Sequence, residues 1–335
     1  MTKNVMLSSM DRVLVARAAG RVLIVSCALT LGAAFPAGAQ DFRQTFSLST
    51  PGARANAMGQ AFIGVADDAS AMITNPAGLV LLTRPQAYVE FKTGNELTDE
   101  FGIVEESPGS VSFFGASAPL GSRVAVGFSY HEYFGYRLSF EDDPTLDFEG
   151  SGDSWGGTVA FGLTPDLSVG ATFANHNLSF EGEGFDVSES AFGVDIGGLW
   201  RASSMVSVGV NFAMASDTDE LGELMPNRFG AGVGIRPSPR VLIASDVTWI
   251  DYSAFLDTID DSTQFHIGGE YLLLSGMTSQ LFARAGLFTV PDDEFSDEGG
   301  VTGTFGAGVT LGRHFQADFA VLTDGEVVIS AGVRF

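Results

Sequence analysis

Ser207-Val208-Gly209-Val210-Asn211-Phe212-Ala213-Met214 is the stretch on which the fold turns. Val208, Val210, Phe212 and Met214 fall on one side of a period-two pattern, with Gly209, Asn211 and Ala213 on the other. Successive side chains of a strand point to opposite faces, so this strand is greasy on one face and small or polar on the other. A strand standing between lipid and an aqueous lumen has this character. The pattern repeats downstream, where Phe315, Phe319 and Val321 oppose Gln316, Asp318 and Ala320. Val327, Ile329, Val333 and Phe335 likewise oppose Ser330, Gly332 and Arg334. From Arg84 onward we count fourteen such segments, near 84–93, 109–118, 122–140, 154–163, 167–180, 188–200, 204–215, 227–236, 240–250, 263–274, 280–289, 301–311, 314–321 and 326–335. Each has about the 9–11 residues of a tilted bilayer-crossing strand, or somewhat more. An even number closes an antiparallel barrel with no unpaired edge in lipid. The expected fold is all-β, a fourteen-stranded antiparallel transmembrane β-barrel over 84–335.

The connections support this by alternating in length. Pro119-Leu120-Gly121-Ser122, Thr164-Pro165-Asp166, Arg201-Ala202-Ser203, Arg236 to Arg240, Ser275 to Thr278 and Gly312-Arg313 are short. The intervening windows 94–108, 141–153, 181–190, 216–226, 251–262 and 290–300 are longer, and a tight turn at 322–326 completes the set. Short periplasmic turns and longer external loops belong to outer-membrane barrels, which puts both chain ends on the periplasmic side. Those seven outer windows hold 30 of the 41 acids and no Lys or Arg, whereas Arg123, Arg201, Arg236, Arg240 and Arg313 lie at or beside the short turns.

Composition excludes several other classes. Net charge is −24, with 17 basic and 41 acidic residues among 335. The 28 Phe argue against an acidic disordered chain, and no basic cluster is present to neutralise nucleic-acid phosphates. At the amino terminus, Arg12, Arg17 and Arg21 precede the apolar run Val22 to Leu31, Pro36 breaks it, and Ala37-Gly38-Ala39 supplies small residues. Residues 1–39 read as a secretory signal peptide cut after Ala39, the alternative being a short membrane anchor. Its removal takes the single Cys27 with it and leaves 13 basic and 40 acidic residues. The exported chain then has no disulfide to rely on.

Residues 40–83 do not alternate. Gly52 to Gly59 and Asp67 to Ile73 read as short helical turns, with Asp67 or Asp68 as N-cap of the second. Asn75-Pro76 ends that turn. A small-residue segment poor in charge, placed ahead of a barrel, satisfies its backbone if it folds into the lumen as a hatch. Gly52-Ala53-Arg54-Ala55-Asn56-Ala57-Met58-Gly59-Gln60-Ala61-Phe62, Ala66 to Ala71 and Asn75-Pro76-Ala77-Gly78-Leu79 resemble the hatch of the outer-membrane long-chain fatty-acid transporter family (FadL/TodX-like). The stretch is most similar to its branch related to type IX secretion barrels, the PorV/PorQ-like group. Pro226 to Val233 and Asp246 to Ser253 resemble that family's later strands. The resemblance implies a fourteen-stranded plugged barrel that binds a hydrophobic ligand outside and releases it sideways where the third strand kinks.

Three groups of residues are candidates for function. Arg54, Asp67, Asp68, Asn75, Pro76 and Gly78 belong to the hatch, with Asn75 to Gly78 either its hinge or simply its helix stop. Gly127, Tyr130, Tyr133, Phe134, Gly135 and Tyr136 crowd the third and longest strand. They form either a kinked lateral gate, since Gly permits bulges, or an interfacial aromatic girdle. Asp195, Arg228, Asp246, His266, Glu270, Arg284, Asp318 and Arg334 fall on the inward parity. A basic residue facing lipid at midplane costs roughly 2–4 kcal/mol, so these groups line the lumen, either holding the hatch or merely solvated. Catalysis finds little support: His131, His176, His266 and His314 have no metal-site spacing, and no cofactor is implied. Asp142, Asp143 and Asp147, or Asp292 to Asp297, are solvated loop acids or Ca²⁺ ligands. The expected role is passive outer-membrane uptake of a hydrophobic small molecule: a fatty acid, hydrocarbon or aromatic. The alternative is a barrel that binds a protein partner in secretion or surface attachment. Membrane lipid and lipopolysaccharide would surround it, and the assembly machinery would read Phe335.

Overall fold

The computed structural model describes residues 50–98, 103–107, 109–140, 147–182, 185–215, 225–251, 261–290 and 300–335. The expected signal peptide, residues 1–39, and the acidic stretches at 141–146 and 291–299 lie outside them. Two short helices come first, α1 (Ala53–Asn56) and α2 (Ala71–Thr74), then a 3₁₀ helix over Pro76–Leu81. The strands follow: β1 (Gln86–Lys92), β2 (Asn95–Thr98), β3 (Ile103–Ser107), β4 (Ser110–Pro119), β5 (Val124–Phe140), β6 (Phe148–Gly162), β7 (Leu167–Gly182) and β8 (Phe185–Arg201). The second half contains β9 (Val206–Ala215), β10 (Asn227–Ser238), β11 (Val241–Asp251), β12 (Ser262–Ser275), β13 (Ser279–Val290), β14 (Gly300–Leu311), β15 (Phe315–Leu322) and β16 (Val327–Arg334).

Fourteen of these strands form one closed antiparallel barrel. From β4 to β16 each strand pairs with the next, and β1 joins β4 to β16 through Gln86↔Ser117 and Gln86↔Arg334. Closure satisfies every backbone ladder without water, which lipid demands. The remaining two strands, β2 and β3, form a hairpin within the 94–108 window that had read as loop, and β3 adds to the outer end of β5 through Ile103↔Phe140 and Glu106↔Arg137. Five acids in that window break any apolar alternation, so the period that reveals the other strands is absent there.

On the outward face, side chains such as Val210, Met214, Phe229, Phe265, Phe305 and Phe319 are exposed all round the barrel, as a lipid-facing band requires. The band ends before the strands do. β5 to β8 are 15 to 17 residues long, whereas a crossing needs about 9–11. Their outward residues change character along the chain. β7 runs Leu167, Val169, Ala171, Phe173 and then Asn175, Asn177, Ser179, Glu181. β6 runs inward from its tip as Glu149, Ser151, Asp153 and then Trp155, Val159, Phe161. Above the change, polar cross-strand contacts replace apolar ones. Arg137 pairs with Glu149, Asn177 with Asp153, and Ser179 with Ser188. Much of 147–153 and 181–189, expected as loop, is therefore strand standing clear of the bilayer.

Candidate functional site

The segment from Pro51 to Leu82 is buried almost throughout and fills the lumen. Its seating depends on glycines in the wall. A Cβ at Gly268 would lie 2.1 Å from the Met58 carbonyl oxygen, one at Gly286 2.2 Å from Gly59 N, and one at Gly209 2.1 Å from the Ile63 carbonyl oxygen. Such distances leave room only for hydrogen, so backbone meets backbone. Polar wall residues then satisfy the hatch's free groups. Asp246 Oδ2 accepts Phe62 N at 2.5 Å and Ile63 N at 2.7 Å, and Ser207 Oγ donates to the Gly64 carbonyl at 2.6 Å. Thr172 Oγ1 donates to the Met72 carbonyl at 2.7 Å, and His266 Nδ1 lies 3.1 Å from the Gly59 carbonyl. Asn75 bridges the two bodies, donating from Nδ2 to the Ile63 carbonyl and to the Gly198 carbonyl of β8, while its Oδ1 accepts Ala77 N. Pro76 follows at the start of the 3₁₀ helix. Gly78 is pressed on Ala66, whose carbonyl oxygen a Cβ would meet at 2.0 Å.

Seven of the charged candidates come together as a chain across the lumen. Arg54 Nη1 lies 2.5 Å from Asp67 and 3.4 Å from Asp68, and its Nε lies 3.0 Å from Glu270. Glu270 then meets Arg284 at 2.7 Å, and Arg284 meets Asp318 at 2.8 Å. Gln316 donates to Asp318 and accepts from Arg334. Arg236, read from sequence as a turn residue, completes the chain by pairing with Asp67 at 2.8 Å. Burial pushes the Asp68 carboxyl above its usual range, against the pull of Arg54. Neither Asp67 nor Asp68 caps α2. Ser70 occupies that position, and Asp68 Oδ1 instead accepts the Ser70 amide and hydroxyl. Glu90, overlooked in the sequence, is fully buried on the inward parity of β1 and accepts the Gly52 amide and the Ser112 hydroxyl.

Arg228 stands at another level, lining a small cavity with Asn211, Thr248, Gln264 and His266 over the hatch residues Ile63 and Thr74. Asp195, half-buried on β8, and His176 are its electrostatic neighbours. Beyond this level the lumen becomes apolar. Tyr133, Phe134, Leu178, Phe180, Met225 and Ile250 form one buried cluster, joined by Tyr136 and Phe148. Phe134 stacks on Phe180 at 6.3 Å between centroids, and Phe148 on Phe180 at 6.2 Å. β11 shows the order along one strand face: Asp246 on the hatch, Thr248 at the cavity, Ile250 in the cluster.

The aromatic group of β5 is therefore split. Tyr130 faces outward beside Trp155, 4.7 Å between centroids, at the edge of the lipid-facing band. Tyr133, Phe134 and Tyr136 turn inward. The cause is a bulge: Glu132 pairs with Asp153 and Phe134 with Gly152, so Tyr133 is the extra residue. The β4–β5 ladder runs from Pro119↔Ala125 to Phe113↔His131, and β3 takes up β5 at Arg137. Among the described residues, 132 and 134–136 therefore have ladder partners on the β6 side alone, and bulged Tyr133 has no ladder partner. Gly135 lies in this interval, where an added Cβ would meet Glu132 Oε1 at 3.7 Å, and Gly127 lies below it against Met72 and Leu79 of the hatch.

The fold is shared with solved structures. The Ralstonia pickettii toluene transporter TbuX superposes with a TM-score of 0.68 at 15% identity, covering 87% of this chain and 100% of that one. The CymD monoaromatic hydrocarbon channel gives 0.68 at 14%, covering 87% and 99%. A Pseudomonas aeruginosa FadL homologue gives 0.60 at 14%, covering 84% and 98%. The chain has the FadL-type fold. No protein-family model matches the sequence, and no curated protein matches it. The FadL-type likeness is thus one of architecture, and it does not single out any one branch of that family.

Proposed function

We propose that the chain is an outer-membrane channel for passive uptake of hydrophobic small molecules, with exit through the wall beside β5. The observation that carries this is the juxtaposition of a buried aromatic cluster with the interval 132–136, where β5 has lost its β4 partner. A straight path to the periplasm is filled by the hatch and its ion pairs, whereas a ligand in the cluster is already beside that interval. The names of the similar structures, toluene transporters and a hydrocarbon channel, support the substrate class. The role is that of a channel rather than an enzyme, and Phe335, exposed at the end of the closing strand, is offered to the assembly machinery.

The test is uptake of labelled toluene and oleate by Gram-negative cells expressing the chain. Expression should raise the rate several-fold, and Gly135→Trp, which adds bulk where the wall has room, should remove most of the gain. A folded barrel that gives no gain over cells lacking it overturns the channel reading. Equal uptake by Gly135→Trp overturns the side exit alone.

A further inference from the structure

We propose that Glu132 sets the specificity of the side exit, admitting neutral and cationic amphiphiles and turning back anionic ones. The inference rests on the channel reading with its exit beside β5, and it narrows the class of ligand that leaves there. The exit is the place where two neighbouring strands part. The β4–β5 ladder ends at Phe113↔His131, and beyond it both strands depart from regular pairing. β5 bulges at Tyr133, and β4 shifts register against β1 between Glu90↔Phe113 and Lys92↔Ser110. Bulges end pairing and re-aim side chains.

Glu132 is the first residue of β5 beyond the last β4 pair, and its carboxylate reaches over to β4. Ser110 Oγ, at the start of β4, donates to Glu132 Oε1 at 2.5 Å, and Tyr130 Oη donates to Oε2 at 3.3 Å. A Cβ added at Gly135 would stand 3.7 Å from the same Oε1. One carboxylate is thus held by two hydroxyls across the interval through which a ligand has to pass. Glu132 is half-buried, so it sits neither in the packed lumen nor in open water.

The charge at this spot is uncompensated. Both donors are neutral, and the arginine of β5, Arg137, is paired with Glu149. On its β6 side Glu132 faces Asp153, whose Oδ1 accepts from Asn177. Like charges directly opposite each other destabilise a sheet. Two acids kept at that cost put a fixed negative field on the lip of the exit. The lip lies at the edge of the lipid-facing band, where Tyr130 meets Trp155. There the dielectric is lower than in water, and a charge acts more strongly than at a solvated rim. A neutral body feels little of this field and a cationic head is drawn by it. A carboxylate head meets like charge, and the two hydroxyls that could bind it are already taken by Glu132.

The experiment is the initial rate of uptake of labelled decanol and decanoate by Gram-negative cells, expressed as the gain over cells lacking the chain. The two compounds share a chain and differ in the head. The unmodified chain should give a gain for decanol several-fold above that for decanoate. Glu132→Gln keeps the shape and an acceptor for Ser110 but loses the charge, so decanoate uptake should rise several-fold and decanol uptake stay the same. Glu132→Lys should reverse the preference, which loss of a merely structural contact cannot do. Glu181→Gln removes an acid from the tip of β7 and should leave the ratio untouched. Heat-modifiable migration in gel electrophoresis establishes that each variant is a folded barrel. An unchanged ratio in Glu132→Gln, a rise of both compounds alike, or an equal effect of Glu181→Gln overturns the proposal. Decanoate taken up as fast as decanol by the unmodified chain overturns it too, and leaves the channel standing. A folded chain with no gain for either compound sinks the channel reading and the proposal with it.

Discussion

Arg54 and Arg137 are both arginines in ion pairs, yet their surroundings differ completely. Arg54 is 11% exposed and faces three carboxylates, of which Asp68 is almost fully buried. Arg137 and Glu149 are each 51% exposed on the polar outer wall. Removing one partner of a buried pair leaves an uncompensated charge and costs about 3–5 kcal/mol, while an exposed pair contributes roughly 0–1 kcal/mol. Arg284 and Arg236 retain some hold on Glu270 and Asp67, so Arg54→Met should fall near the lower bound, about 3 kcal/mol. Arg137→Met should change stability by no more than about 1 kcal/mol. Urea unfolding followed by tryptophan fluorescence would measure both, and equal effects would mean that the lumenal chain of ion pairs does not hold the hatch. Inward parity placed Glu270, Arg284 and Asp318 on one lining from sequence. It could not reveal their partners, because pairing depends on strand stagger and on where the hatch sits. Glu90 and Arg236 escaped for related reasons: one lies in a strand of only seven residues, the other beside a turn that suggested solvent.

At the scale of elements, the contact between hatch and wall is made by glycines, and two substitutions separate that role from general barrel stability. Gly268→Val would drive a side chain into the Met58 carbonyl, whereas Gly157→Val adds one on the lipid-facing side, where nothing lies within 4 Å. The barrel ladders should survive both, because fourteen paired strands hold the wall. Gly268→Val should unseat the hatch and raise single-channel conductance in a planar bilayer severalfold, with Gly157→Val indistinguishable from the unmodified chain. Unaltered conductance in Gly268→Val would show that the hatch yields elsewhere. The strands were legible in sequence because period two is a local property. The glycine seat was not, since the same residues are accounted for equally well by ordinary small lumenal positions. The bulge at Tyr133 was hidden for the opposite reason. One extra residue shifts parity, so Tyr130 and Tyr136 share even numbers but not a face.

Across the whole molecule, charge is sorted along the barrel axis. Thirty of the 41 acids belong to sequence windows that contain no Lys or Arg; among the described residues, Glu149, Asp153 and Glu181 stand at one end of the barrel, and Arg123, Arg201, Arg236, Arg240 and Arg313 at or beside the turns of the other. A rim of one sign concentrates counter-ions and repels like charge, an effect that salt screens over about 10 Å at 0.1 M. The polar tips of β5 to β8, standing beyond the lipid-facing band, carry part of this charge away from the membrane surface through Glu149, Asp153 and Glu181. Selectivity should therefore arise at the mouth and not at the hatch, where acids and bases alternate in pairs. In the conducting Gly268→Val variant, a tenfold KCl gradient should give a reversal potential of cation-selective sign, larger at low than at high mean salt. Replacing Glu149, Asp153 and Glu181 by Gln or Asn should diminish it, while Arg201→Gln and Arg313→Gln at the opposite end should leave the sign unchanged. An anion-selective pore, or selectivity indifferent to salt, would mean that the sorted charge does not govern what approaches the lumen. The same field bears on the ligand. A negative rim works against a carboxylate at the mouth and is indifferent to a neutral hydrocarbon or aromatic.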